Sequence, residues 1–397
     1  AGASFSRISR VLVVGEIAIS CALMIAVGTL VRGIGAIDRT DLGIDTNHLL
    51  TARVLLPTAL HPTAADQVRV FERMGERARA DAEVVDATVG TALPGTFYNS
   101  FHDVLPAGTP PGDGELPTLY SGAVDAHFAA SYGVTLEQGR FFDDRDRADS
   151  EPVAIVDRTF VARFAADGDV IGRRFRIDPR DHDGPTVTVV GVIAPLMLDV
   201  PGNVRSPAML RTLAQDPYYV ATIAVRTRGD ALAFAPRLAG LMHDVDADAP
   251  LYWVRDYASV IRDATVSERI VAKSFATFGV IALALAAVGL YGVMAFAVAQ
   301  RTREIGVRRA LGAPARRVLA NVFARTAFEL AAGVAIGIGA GIVMSRFLTH
   351  ALSTIASVGV EAILAAIGVL AIAVALAVGV PVRRALRVDP VVALRHE

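Results

Sequence analysis

Four long apolar stretches constrain this chain more than any other feature: Val11 to Val31, Phe275 to Ala299, Phe323 to Ser345 and Val360 to Val380. A helix needs roughly 20 residues to cross about 30 Å of hydrocarbon, and each stretch meets that length. Each is read as a transmembrane helix. The composition fits, with 53% of the 397 residues hydrophobic and only 20% charged, against ~25% charged in an average soluble domain. Arg7 and Arg10 precede the first stretch as they would a signal peptide. Its length exceeds an ordinary signal core and no A-x-A cleavage pattern follows, so it reads as an anchor.

Arginine placement orients the spans, because short cytoplasmic segments carry the positive excess. Arg7 and Arg10 precede span one, six arginines lie between Arg301 and Arg317, and Arg383, Arg384 and Arg387 follow span four. Both termini and the middle loop are therefore expected inside, and the segment from about Gly33 to Ser274 outside. That segment holds 24 Lys and Arg against 34 Asp and Glu, a net of −10 hidden within a chain total of −1. Such a balance excludes a basic nucleic-acid binder as the default, and no nucleic-acid partner is expected.

The outer segment mixes strand patterns with helical ones. Leu49 to Leu56, Pro152 to Val156, Thr186 to Ile193 and Tyr218 to Thr227 read as strands. Ala64 to Arg79, Arg158 to Phe164 and Ala233 to Val245 read as helices. The fold class expected is a membrane protein of four transmembrane α-helices, with a large α+β extracytoplasmic domain between helices one and two. The breaks LPAGTPPGDGELP and PLMLDVPGNVRSP are expected to divide that domain into two lobes. Tyr257 to Lys273 reads as one amphipathic helix entering span two, either a lever to the membrane or a surface helix.

Several chemistries are excluded by residue type. The chain has one lysine, Lys273, with no glycine-rich run before it, so it has no P-loop. Its one cysteine, Cys21, lies inside the first span and can build neither a disulfide framework nor a thiolate metal site. No H-E-x-x-H or G-x-S-x-G occurs. The acidic stretches Phe141 to Glu151 and Asp178 to Gly184 lack EF-hand spacing and read as solvated turns. No catalytic, cofactor-binding or metal-ligating residue is expected.

The stretch QRTREIGVRRALGAPARRV between spans two and three is the most informative. Val307, Ala310 and Leu311 share one helical face, Gly312 can close the helix, and Pro314 suits the first turn of the next. Arg301 to Arg317 carries a net charge of +5. Charge alone would serve topology and lipid headgroups, whereas a capped helix with a small apolar face also suits a partner's groove. In span three, Gly333, Gly337 and Gly341 recur at intervals of four, a face that lets another helix approach closely. Glu16 and Glu329 are the acidic residues well inside the spans; a switch or relay role competes with side chains that reach the nearby interface. Glu361 opens span four, where its charge suits the helix dipole.

RTREIGVRRALGA and the C-terminal RRALRVDPVVALRHE resemble the permease subunits of MacB/FtsX-type ABC transporters. VTLEQGRFFDDRD and VTVVGVI are similar to that family's periplasmic core domain, and the order of one span, outer domain and three spans also matches. The opening RVLVVGEIAISCALMIAVGTLVRG resembles the second half of duplicated permeases, which agrees with a first residue of Ala1. The resemblance implies residues 1–32 as cytoplasmic start and first span, 33–274 as periplasmic domain, and 275–397 as an FtsX-like domain with coupling loop 300–317.

It further implies an ATPase on a separate subunit, which would hold ATP and magnesium. That subunit would dock on Arg303, Glu304, Ile305, Gly306, Arg308, Ala310, Leu311, Gly312 and Ala313. Implied partners are this ABC ATPase, a second permease half or copy, the lipid bilayer and a periplasmic adaptor. The implied place is a bacterial inner membrane, and the implied function is mechanotransmission for export. A scaffold that regulates a periplasmic partner without transport is the alternative within the same family.

Overall fold

The computed structural model describes residues 2–37, 39–96, 98–165, 169–181, 184–200, 205–310, 315–351 and 359–386. Two compact units divide the chain. One is Arg39–Val266; the other joins Ala1–Asp38 to Ser267–Glu397.

The second unit is helical: α1 (Gly2–Ile37), α7 (Val266–Ala310), α8 (Ala315–Ala351) and α9 (Val360–Leu386). Their apolar portions are Val11–Gly35, Arg269–Gly292, Leu330–Leu348 and Val360–Ala377. The first is the most enclosed of the four, so α1 is the helix about which the others pack. Val13, Ile17, Cys21 and Ile25 of α1 form its core with Ala286 and Leu290 of α7 and Ala366 and Leu370 of α9. Leu12, Phe278, Val288, Phe347 and Leu376 are exposed, as lipid-facing side chains should be.

In the outer unit, β1 (Leu49–Leu55), α2 (Ala64–Arg79) and β2 (Val84–Gly90) form one βαβ unit, and β10 (Val220–Thr227), α5 (Ala235–Val245) and β11 (Leu251–Asp256) form another. The strand order β11-β1-β10-β2 is antiparallel throughout, so each unit leaves a gap that a strand of the other fills. This is a split βαβ sheet. Thr63 starts α2 by accepting from the Asp66 amide at 3.1 Å, and a single 3₁₀ turn at Leu232–Phe234 leads into α5. Leu50, Ala52, Val54 and Leu56 alternate onto one face, where they pack with Phe71 and Met74 of α2 and Leu238 and Met242 of α5.

Everything between β2 and β10 is an insertion: β3 (Ser100–Pro106), β4 (Thr118–Val124), α3 (Phe128–Tyr132), β5 (Leu136–Gly139), β6 (Val153–Asp157), α4 (Arg158–Phe164), β7 (Arg174–Ile177), β8 (Thr186–Ile193) and β9 (Ala208–Thr212). Pairing runs β4-β3-β7-β8-β6-β9, and β9 returns to pair with β4 in parallel. Six strands thus close a ring, which removes its edges. β5 takes the edge of β8 beyond β7. The core of the ring is Val104, Leu119, Val156, Phe175, Val187 and Met209, with Phe160 of α4 packed among them. One register pair, Gly90↔Val124, joins ring to sheet. A side chain at Gly90 would collide with the Ala123 carbonyl oxygen.

Two expectations change here. The Pro/Gly-rich breaks are connections within the ring, β3 to β4 and β8 to β9, and the division in pairing falls at the ends of the insertion. Local turn chemistry cannot distinguish a tight connection from a boundary. Tyr257 to Lys273 is also two helices: α6 (Tyr257–Ala264) stops at Thr265, and α7 starts at Val266. Thr265 leaves helical geometry at φ −109°, ψ 14°, and its hydroxyl donates to the Ile261 and Arg262 carbonyls at 3.1 and 3.2 Å.

Candidate transmission site

The second span does not end at the membrane. α7 runs unbroken for 45 residues. At roughly 1.5 Å per residue it extends about 68 Å, twice the ~30 Å of hydrocarbon. No proline interrupts it between Gly292 and Ala310, and glycine, the next weakest helix former, occurs there once, at Gly306. Arg303, Glu304, Ile305, Gly306, Arg308 and Ala310 therefore occupy the last turns of the span helix itself, not a short helix of their own. Their side chains, and all of Leu311, Gly312 and Ala313, lie outside the described residues.

α1 meets α8 through glycine. A Cβ on Gly333 would lie 2.9 Å from Cγ2 of Ile17. On Gly337 it would lie 2.5 Å from Cβ of Cys21 and 2.8 Å from the Ala18 carbonyl oxygen, and on Gly341 2.9 Å from Cδ1 of Ile25. Real Cβ atoms essentially never come that close, so the three glycines bring backbone onto backbone along three turns. A buried hydroxyl pair continues the seam, with Thr29 Oγ1 and Ser345 Oγ 3.2 Å apart. α1 approaches α9 similarly, since a Cβ on Gly28 would lie 2.9 Å from Cβ of Ala362.

The acidic residues of the spans have definite surroundings. Among the described residues Glu16 Oε2 is buried without a hydrogen-bond partner, against Gly289 of α7. Glu361 faces Arg32 of α1 at 3.5 Å, so its charge meets a cation as well as the helix dipole. The side chain of Glu329 lies outside the described residues.

In the outer unit, arginines occupy the acidic turns. Asp146 receives both Nη atoms of Arg140, at 2.7 and 2.8 Å. Arg145 grips Asp143 and holds its carboxyl well below the usual carboxylate range. Asp178 accepts from the Asp103 amide at 3.1 Å and pairs with His102 Nδ1 at 2.6 Å. Among the described residues no three His, Cys, Asp or Glu side chains are grouped to hold a metal. The hydroxyl pair and the Arg32–Glu361 contact escaped sequence reasoning, because their partners are far apart in the chain. The one available signal was a polar residue inside an apolar run.

Residues 11–235 match the MacB-like periplasmic core domain, and residues 276–390 the FtsX-like permease C-terminal family. The pyoverdine export ATP-binding/permease protein PvdT of Pseudomonas syringae pv. tomato is 29% identical over 296 residues, 70% of this chain and 43% of that protein. The macrolide export ATP-binding/permease protein MacB of Syntrophobacter fumaroxidans is 34% identical over 145 residues, covering 36% and 20%. The chain thus spans less than half the length of these relatives. The periplasmic region of MacB from Actinobacillus actinomycetemcomitans aligns with a TM-score of 0.38 at 12% identity, covering 57% of this chain and 96% of that structure.

Proposed function

The chain belongs to the MacB/FtsX-type ABC transporter permeases, and from that premise we propose that it carries ATP-driven motion from an ATPase beneath the bilayer to its own outer unit. The ATPase lies outside this sequence, which has no P-loop, and would itself hold ATP and magnesium. Its dock is the end of α7 with the residues that follow, Arg303 to Ala313. The cell compartment is the bacterial inner membrane, with the α+β unit in the periplasm. A second permease half or copy completes the pair, and a periplasmic adaptor continues the export route.

The continuity of α7 from Val266 to Ala310 carries this reading. No proline kinks it, so displacement at its basic end reaches the far end of the span instead of dissipating in a loop. The charge there, +5 over Arg301 to Arg317, steers an acidic partner face, and the small apolar face sets the register.

Leu311→Asp tests the dock. Co-purification of the ATPase from native membranes should be lost while the far-UV circular dichroism of the permease stays unchanged. Complex recovered at the unsubstituted level would remove Leu311 from the interface.

A further inference from the structure

The chain has one tryptophan, and its backbone is unusual: Trp253 sits in edge strand β11 at φ +57°. That left-handed conformation is a genuine outlier for a bulky residue. It coincides with a β-bulge, where the register between β1 and β11 shifts between Thr51↔Arg255 and Arg53↔Tyr252. A regular strand sends neighbours to opposite faces, but the bulge breaks that alternation. Tyr252 and Trp253 are both 40% exposed. Trp253 stacks edge-on to Tyr98, with ring centroids 5.2 Å apart, and the Arg53 guanidinium lies 4.3 Å over the Tyr98 ring.

Hydrogen bonds pin the loop that carries Tyr98. Asn99 Oδ1 accepts from the Leu93 amide at 2.9 Å, its Nδ2 donates to the Leu93 carbonyl at 2.8 Å, and Tyr257 donates to the Pro94 carbonyl at 2.7 Å. It also lies at a defined end of the outer unit. Leu42, about five residues after α1 ends, and Ile261, about eight before the apolar portion of α7 begins, both crowd Gly95. Both connections to the spans thus leave the unit beside the loop that carries Tyr98. Arg255 pairs with Asp263 at 3.2 Å, which ties the base of β11 to the last turn of α6.

We propose that Tyr98, Tyr252 and Trp253 form an interfacial anchor that seats this corner of the outer unit among the lipid headgroups of the adjacent leaflet. Tyrosine and tryptophan combine a large apolar body with a polar tip, which is the chemistry that concentrates them at membrane–water boundaries. Arg53, Arg255 and Arg262 lie on the same elements as the aromatics and their neighbouring helix. With Asp256 and Asp263 they leave a local positive excess on a segment whose net charge is −10. That excess suits phosphate-bearing headgroups, and arginine stems can lie along the apolar layer while the guanidinium stays at its surface. The strained Trp253 backbone is the cost of presenting two consecutive aromatics outward. This anchor is independent of the coupling role proposed for α7.

Because Trp253 is unique, the unsubstituted chain reports on itself. Protein is reconstituted into phosphatidylethanolamine/phosphatidylglycerol vesicles, and only material that floats with the vesicles is read. Lipids brominated near the top of the acyl chain should lower tryptophan emission about twofold, with bromines near the chain end much less effective. Iodide quenching from the side of the outer unit should be about fivefold weaker than for free tryptophan amide. Strong iodide quenching with no effect of brominated lipid would overturn the proposal. Shielding from both quenchers would equally overturn it, by showing that protein rather than lipid covers the patch.

Discussion

The two units of this molecule are held together in opposite ways. In the outer unit the ring closes around side chains that fill space, such as Phe160, Phe175 and Met209. In the helical unit the α1–α8 seam closes because Gly333, Gly337 and Gly341 leave space empty. The contrast follows from the solvent. Water drives apolar side chains together, whereas lipid tails are as apolar as leucine, so helices gain mainly from close backbone contact.

Substitutions in opposite senses should therefore do the most damage in each unit. The largest effect is expected for Phe160→Ala, which empties the fully buried centre of the ring and should cost about 4 kcal/mol. Hydrogen exchange should accelerate in β3 through β9 and stay unchanged in α1 and α8; equal acceleration in both would mean that the units do not respond separately. Gly337→Leu reverses the pattern. A side chain there meets Cys21 Cβ and the Ala18 carbonyl, and the seam should lose about 3 kcal/mol. Thermal unfolding in detergent at an unchanged midpoint would break the comparison.

The smallest expected effect is electrostatic and confined to the outer unit. The backbone amide of Glu83 and then Arg237 hold the buried Asp81 carboxyl below its ordinary value of 3.8. With the folded value depressed, its stabilising contribution is complete above that ordinary value and is lost as pH falls through the lower folded one. Asp81→Asn should flatten the acid limb of stability below pH 3.8 for the outer unit alone. An acid limb of unchanged slope would show that other carboxylates set it.

Legibility differed along the same division. α2 could be read over Ala64 to Arg79 because its apolar period lies within one short window. Of the ring strands, β6 and β8 could be read and the others could not: β7 is four residues and β9 is buried on both faces, and neither feature leaves an alternating pattern. The ring closes only when Tyr120 meets Ala208. The glycine stripe was legible as a surface for close approach, but nothing local named α1 as its partner. Span two could be read from Phe275 to Ala299, whereas its continuation as one helix to Ala310 could not, since charge told against a span continuing there.

What the sequence determined by itself is one-dimensional: the number of spans, the arginine bias at their ends, the absence of a nucleotide-binding loop and the small-residue face of α8. Each depends on length, apolarity or residue type within a window that a bilayer or a backbone tests locally. Only the tertiary structure decided which helix meets those glycines, that six strands close on themselves, and that Tyr98 and Trp253 share one corner. Those outcomes rest on pairs as distant as Thr29 and Ser345, 316 positions apart. The entropy of closing a loop grows only with the logarithm of its length, so separation along the chain says little about which distant partner wins.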